Sequence, residues 1–489
     1  MILDIVTQTD FAGAIDQTYH CPGAAKVAGL LKHIREQNPT GTLFLDAGDV
    51  LCGAPICNLT DGGPVIDIVN LLGVDAMTLG NHEFDNGGQA MREVLARATF
   101  PILCANIIDE STHQPAAPAK PYIMLARGGV KIGIVGVTTA YTPFMLKPES
   151  FCGYTVVPPA EVLNNIIPQM RNEGADVVVV LGHLPGSVSK EGDCTGELFE
   201  TADAIPPVEV MIGGHNPGSI ACARNATVYA KAGFSAGQIA HIRLTLDENK
   251  RVTERTVRLY DMMCDDTEWI APDPAVQDAV DVAMAPYRPV LDEPLAKLPV
   301  RLAADKDGMC ALGNFYTDGL REAAHAPVGI FNATSLFGYM PAGIVTAEMV
   351  MHVMCFDEDI FAGEMTGEQL TALFERTYAK AHWALNGTLQ FTGLRVVMDT
   401  RQPEGARVLS IAREDGTPIQ KEDRLRVATT DYIATGGNDY QEITSQIAWK
   451  NTHVRTHAFF VEFLRRRGVL PHETDDRMIN LDPAWPPRR

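Results

Sequence analysis

The sequence predicts an α/β protein of two domains. Three observations carry this. The chain has 489 residues, more than one ordinary core accommodates. Its first half alternates short apolar runs with amphipathic stretches. Several of those runs stop abruptly in a glycine-flanked polar cluster. Continuous apolar strands with helices between them imply a sheet buried on both faces, and ligands in such folds sit where the strands end.

The opening run Met1-Ile2-Leu3-Asp4-Ile5-Val6 reads as a strand, with no basic or apolar leader pattern before it. Further strands are expected at Thr42 to Asp46, Ala76 to Leu79, Lys131 to Val137, Val177 to Leu181 and Val208 to Ile212. From about Trp269 to Pro299 prolines surround an amphipathic core, Ala275 to Ala285, which reads as a linker helix. The domains are accordingly expected at 1–265 and 299–489, with the linker over 266–298. The second domain has strands of its own at Val328 to Phe331, Leu394 to Met398 and Arg424 to Ala428, and the tail from Trp485 to Arg489 is expected to fray.

Composition narrows the function. Hydrophobic content is 46% and charged content 21%, values of a globular chain. The formal net charge is −21, a field that repels nucleic acid and anionic membranes. A small phosphate-bearing ligand then needs a local reversal of sign, which bound cations supply. No apolar run approaches the roughly 18 residues of a membrane span. The ten cysteines are scattered without a CxxC pair and read as reduced thiols. Together these features point to the cytoplasm.

Four strand-end clusters share one ligand chemistry. Asp49, Asn81, His183 and His215 are a carboxylate, an amide and two imidazoles, a set that suits Mn, Zn, Fe or Co. Each lies next to glycine, which permits tight turns and close approach. One such residue alone is ordinarily structural; four at successive strand ends form a metal-site pattern.

These clusters carry a resemblance. Gly48-Asp49, Gly80-Asn81-His82-Glu83-Phe84-Asp85, Gly182-His183 and Gly213-Gly214-His215 resemble the metallophosphoesterase blocks of the 5'-nucleotidase family. Thr392-Gly393-Leu394-Arg395 and the run from Ala428 to Gly437 resemble its C-terminal domain. The resemblance implies a four-layer metallophosphoesterase sandwich, two sheets flanked by helices, followed by a second α/β domain. It implies a phosphohydrolase acting on a nucleotide or related base-bearing phosphate. Asp49 would bridge two metals, with Asn81, His183 and His215 completing one site. His82 would be the catalytic histidine and Asp85 its orienting partner.

The pattern also breaks. The family opens with Asp-x-His, whereas here Asp10 is followed by Phe11 and Ala12. The last block normally ends in a further ligand, which is Pro217 here. Both losses strike one metal site and leave it only Asp10 and Asp49. Three readings stay open: one firmly bound divalent transition metal; two metals with a replacement ligand such as Asp16 or His20; or a binding protein that does not hydrolyse. In the second domain Asn332 matches the family's substrate pocket, but Phe337 stands where an arginine grips the phosphate, and Arg321 is a candidate substitute. Phe356 and Tyr440 match the pair of aromatics that sandwiches the base, with Tyr440 expected at a pocket rim.

Overall fold

A computed structural model describes residues 1–468 and 477–485. The chain divides into two compact units, Met1–Pro286 and Tyr287–Arg489.

The first unit is built on two six-stranded sheets. One runs, in spatial order, Val252–Asp261, Gln238–Leu246, Ile2–Gln8, Thr42–Asp46, Ala76–Thr78 and Ile102–Leu103. Its last four strands are mutually parallel, and Gln238–Leu246 pairs antiparallel with the first strand. In the other sheet Val130–Thr138, Val177–His183, Val210–Ile212 and Thr227–Lys231 are parallel neighbours, flanked by antiparallel edge strands. Leu3, Ile5, Leu43 and Leu45 of one sheet share a core with Ile132, Ile134, Val177 and Val179 of the other. Alternate residues point the other way, so Val135, Val137, Val178 and Val180 pack under the helices Pro159–Asn172 and Glu197–Asp203. Period-2 alternation within fully apolar strands thus buries both faces, and the sheets are flanked by helices as expected.

The proline-rich stretch departs from the linker expectation. Its helix, Pro274–Met284, is capped by Asp273, whose side chain accepts the amides of Ala275 and Val276. The Asp273 amide donates to the Ala25 carbonyl at 2.8 Å, and Gly29 lies against the backbone of Ala271. Val276, Val280 and Met284 are buried. The helix therefore belongs to the first unit, and the division falls after Pro286. Amphipathicity there marks a docked helix.

The second unit holds a five-stranded mixed sheet ordered Gln390–Thr392, Val328–Phe331, Arg424–Thr430, Asp359–Thr366 and Lys450–Arg455. Its core includes Val328, Ile330, Phe374, Phe391 and Val427. Trp485 packs on Trp383 at 4.6 Å between ring centroids; residues 486–489 of the tail lie outside the described residues. No described helix is long and apolar enough to cross a membrane.

Candidate metal centre

Parallel pairing sets the site's geometry. Register aligns Gln8 with Asp46, so the loops carrying Asp10 and Asp49 leave the sheet side by side. In the other sheet His183 is the last residue of its strand, and His215 follows Ile212 by three residues. The backbone at these turns is forced: Asp10, Asp49 and His215 adopt φ of 48°, 56° and 76°, a region non-glycine residues rarely enter. Gly80 is required by close approach, since a Cβ there would stand 2.1 Å from Asp49 Oδ1.

The structure brings Asp49, Asn81, His183 and His215 together. His183 donates Nδ1–H to the Ala47 carbonyl at 2.7 Å, which fixes the tautomer and turns Nε2 toward Asp49 Oδ2 at 3.0 Å. His215 Nδ1 lies 2.8 Å from Asn81 Oδ1, and the two imidazoles meet edge-on at 5.3 Å. Donor atoms of Asp49, His183 and His215 all fall within 4.8 Å of one another, close enough for one ion. Burial disfavours charge on Asp49, yet His183 and His82 beside it hold the carboxyl well below its ordinary range. Burial, with His183 beside it, pushes His215 down to about 3 and so disfavours a charged imidazole there. These four residues fit a divalent ion.

The other side of Asp49 offers fewer donors. Asp10 Oδ2 accepts from the Thr9 hydroxyl at 2.6 Å and from the His215 amide at 3.0 Å, while its Oδ1 is buried with no hydrogen-bond partner. Burial and the Asp49 charge push Asp10 up to about 6. The side chains of Ala12 and Pro217 contribute no donor atom. Of the possible replacements, the His20 ring contacts the Thr18 hydroxyl at 3.0 Å, and neither Asp16 nor His20 joins a donor group with Asp49 among the described residues.

His82 opens a short 3-10 turn, His82–Phe84, and its Nδ1 is 3.0 and 3.1 Å from the two oxygens of Asp85. Burial opposes its charge, but Asp85 and Asp49 outweigh it and raise the imidazole to about 10. The ring is a partly exposed cation beside the donor cluster.

Two residues without a role in the sequence reading organise these loops. Glu83 is buried, and its carboxylate accepts four backbone amides: Gly80 at 2.7 Å, Asp49 at 3.0 Å, Val50 at 2.7 Å and Leu51 at 3.4 Å. It thereby ties the Asp49 loop to the Asn81 loop. Lys231 is also buried, and its ammonium donates to the carbonyls of Gly186, Asn216 and Pro217 and to Asn216 Oδ1. Those acceptors lie just beyond His183 and His215. Pro217, which offers no ligand, instead offers a carbonyl to this internal cation. A lysine ending an otherwise apolar strand was the available signal.

In the second unit, Asn332 follows the strand Val328–Phe331 and is buried. Its amide donates to Ser335 Oγ at 2.6 Å and Thr334 Oγ1 at 3.0 Å, while Oδ1 has no hydrogen-bond partner. Phe356 is partly exposed and meets Phe337 edge-on at 6.4 Å. Tyr440 corrects the rim expectation: its ring lies in the hydrophobic core and its hydroxyl is 2.8 Å from Thr377 Oγ1. The turn-rich loop before it led inward because the tyrosine has a buried partner for its polar end. Arg321 pairs with Glu414 at 2.8 Å, so its guanidinium is already engaged as a helix-surface ion pair.

Similarity to known proteins agrees with this geometry. Residues 19–218 match the calcineurin-like phosphoesterase family, and residues 294–445 match the 5'-nucleotidase C-terminal domain. The chain is 25% identical to the protein UshA of Yersinia enterocolitica, across 88% of this chain and 84% of that one. It is 24% identical to the snake venom 5'-nucleotidase of Naja atra, across 94% and 92%. The crystal structure of a 5'-nucleotidase precursor from Thermus thermophilus superposes with a TM-score of 0.85 at 22% identity, covering 99% of this chain and 100% of that one, which establishes a shared fold.

Proposed function

Because this chain is a two-domain member of the 5'-nucleotidase family, a hydrolase acting on phosphoester bonds, we propose that it releases phosphate from a nucleotide or related base-bearing ester using one firmly held divalent transition metal. The single observation that carries the one-ion reading is the asymmetry around Asp49. Asn81, His183 and His215 gather on one side, while Ala12 and Pro217 leave Asp10 with a lone buried oxygen.

When bound, such an ion supplies positive charge for the phosphoryl oxygens and acidifies a water. The chain's own groups do the rest. Asp49 and His183 hold one another in place at 3.0 Å. His82, kept cationic by Asp85, stabilises charge on the phosphoryl group or protonates the leaving oxygen, and Asp85 holds its ring in one orientation. The loss of the phosphate-gripping arginine at Phe337 favours a substrate other than a plain nucleoside monophosphate, such as a nucleotide-sugar or dinucleotide. Asn332 and Phe356 are the proposed contacts; Tyr440 is committed to the core and Arg321 to Glu414.

The test is His82→Ala assayed against a panel of nucleotides and nucleotide-sugars. The variant should keep its metal and its fold and lose turnover by roughly 10²-fold or more. Turnover at the wild-type rate would refute the role of His82 and favour a binding protein that does not hydrolyse.

A further inference from the structure

Asp49 belongs to two donor groups. One is the cluster with His183 and His215 already described. The other lies with a ring nitrogen of His82 and Sγ of Cys52, these atoms again within 4.8 Å of one another.

The loop carrying Cys52 is fastened to the segment where a histidine is missing. Ala12 donates its amide to the Asp49 carbonyl at 3.0 Å, and Ala54 donates to the Ala12 carbonyl at 2.8 Å. A Cβ at Gly53 would stand 2.7 Å from Ala12 Cβ, so the two segments are in direct contact. Asp49 Oδ1 accepts the His82 amide at 2.8 Å, which holds the His82 turn against the same carboxylate. With Nδ1 of His82 committed to Asp85, Nε2 is the nitrogen for an ion, in the carboxylate–histidine–metal arrangement common at metal sites.

The two groups differ in softness. The first offers only nitrogen and oxygen. The second adds sulfur, and a thiolate selects thiophilic ions over Mn or Mg. We propose that Asp49, Cys52 and His82 form a second cation site selective for a soft divalent ion, and that filling it inhibits the enzyme by withdrawing His82 from the phosphoryl group. Binding forms one metal–sulfur, one metal–nitrogen and one metal–oxygen bond. The protons on Cys52 Sγ and His82 Nε2 leave to solvent, and no electron is transferred. This inference rests on His82 being the acting group.

Cadmium is the probe. Protein loaded with Mn²⁺ is titrated with Cd²⁺ while bound cadmium, the near-ultraviolet thiolate-to-cadmium absorption and turnover are followed together. Wild type should gain the thiolate band and lose turnover in parallel. Cys52→Ser should lack the band, bind Cd²⁺ at least roughly tenfold more weakly and show correspondingly weaker inhibition. Cys52→Ala, which removes the serine oxygen as well, should behave the same way, and Cys57→Ser, at a neighbouring buried thiol, should keep the band. Inhibition and cadmium affinity unchanged in both Cys52 variants would overturn the proposal, as would a wild-type band that forms without loss of turnover. If Mn²⁺-loaded wild type turns over no phosphoester at all, the proposed function fails; the regulatory claim falls with it, while the band still reports whether the cation site exists.

Discussion

Replacing Glu83 by glutamine tests whether the metal loops are positioned from beneath. The carboxylate accepts four amides, two on each oxygen: Gly80 and Asp49 on one, Val50 and Leu51 on the other. Glutamine keeps one acceptor and turns an NH₂ toward the remaining pair. Either way, a short 2.7 Å bond is lost, to Gly80 or to Val50, together with its longer companion. Each buried donor left unmade costs about 1–3 kcal/mol, so with two unmade the variant loses roughly 2–6 kcal/mol of stability. In a unit of this size that is a fall in Tm of roughly 3–10 °C. The same change frees the Asp49 loop from the Asn81 loop, so metal affinity should drop about 10- to 100-fold. Calorimetry of the metal-free protein and a separate Mn²⁺ or Co²⁺ titration measure the two effects. Unchanged Tm and unchanged affinity in Glu83→Gln would refute the clamp; a lower Tm with wild-type metal affinity would refute its role in the site.

His183→Ala should purify with far less bound transition metal than wild type by elemental analysis, because it removes the imidazole opposed to Asp49; equal content would sink the ligand assignment. Asp4 is buried, and although burial opposes its charge, bonds from His241, Arg243 and Asn38 hold its carboxyl well below the ordinary range. Its contribution is therefore present above the unfolded carboxylate value near 4 and lost as pH falls below it. Asp4→Asn should cost roughly 2–3 kcal/mol in urea unfolding at pH 7, and the gap to wild type should narrow below about pH 4; a gap constant with pH would show that its charge is irrelevant. Phe356→Ala should raise KM for the base-bearing substrate and spare p-nitrophenyl phosphate, whereas equal damage to both would mark Phe356 as a packing residue.

The strands were legible because apolar runs bounded by glycine have few other uses, and every expected strand is present in the structure. The donor set around Asp49 was legible for the same reason: glycine-flanked polar residues at strand ends are costly unless something binds there. Glu83 was not, since spacing along a chain does not reveal that a carboxyl will be buried among four amides. Lys231 ends an apolar strand, but only the fold shows that carbonyls from two loops converge on it. Tyr440 was misplaced because a turn-rich approach says nothing about where the ring ends up, and the buried Thr377 hydroxyl that receives it is 63 residues away in sequence. The helix Pro274–Met284 was misassigned because prolines around an amphipathic segment look alike whether the helix is docked or bridging.

The left-handed turns at Asp10, Asp49 and His215 have a consequence for how the protein matures. Their geometry is held by amides, by Glu83 and by Lys231, contacts that the chain itself supplies. Such contacts predict that the metal-free chain folds, unlike small domains that collapse only around their zinc. An ion adds stability only through its own occupancy, as RT ln(1 + [M]/Kd). Metal supply would then set both how many molecules work and, through occupancy, how much stability each gains.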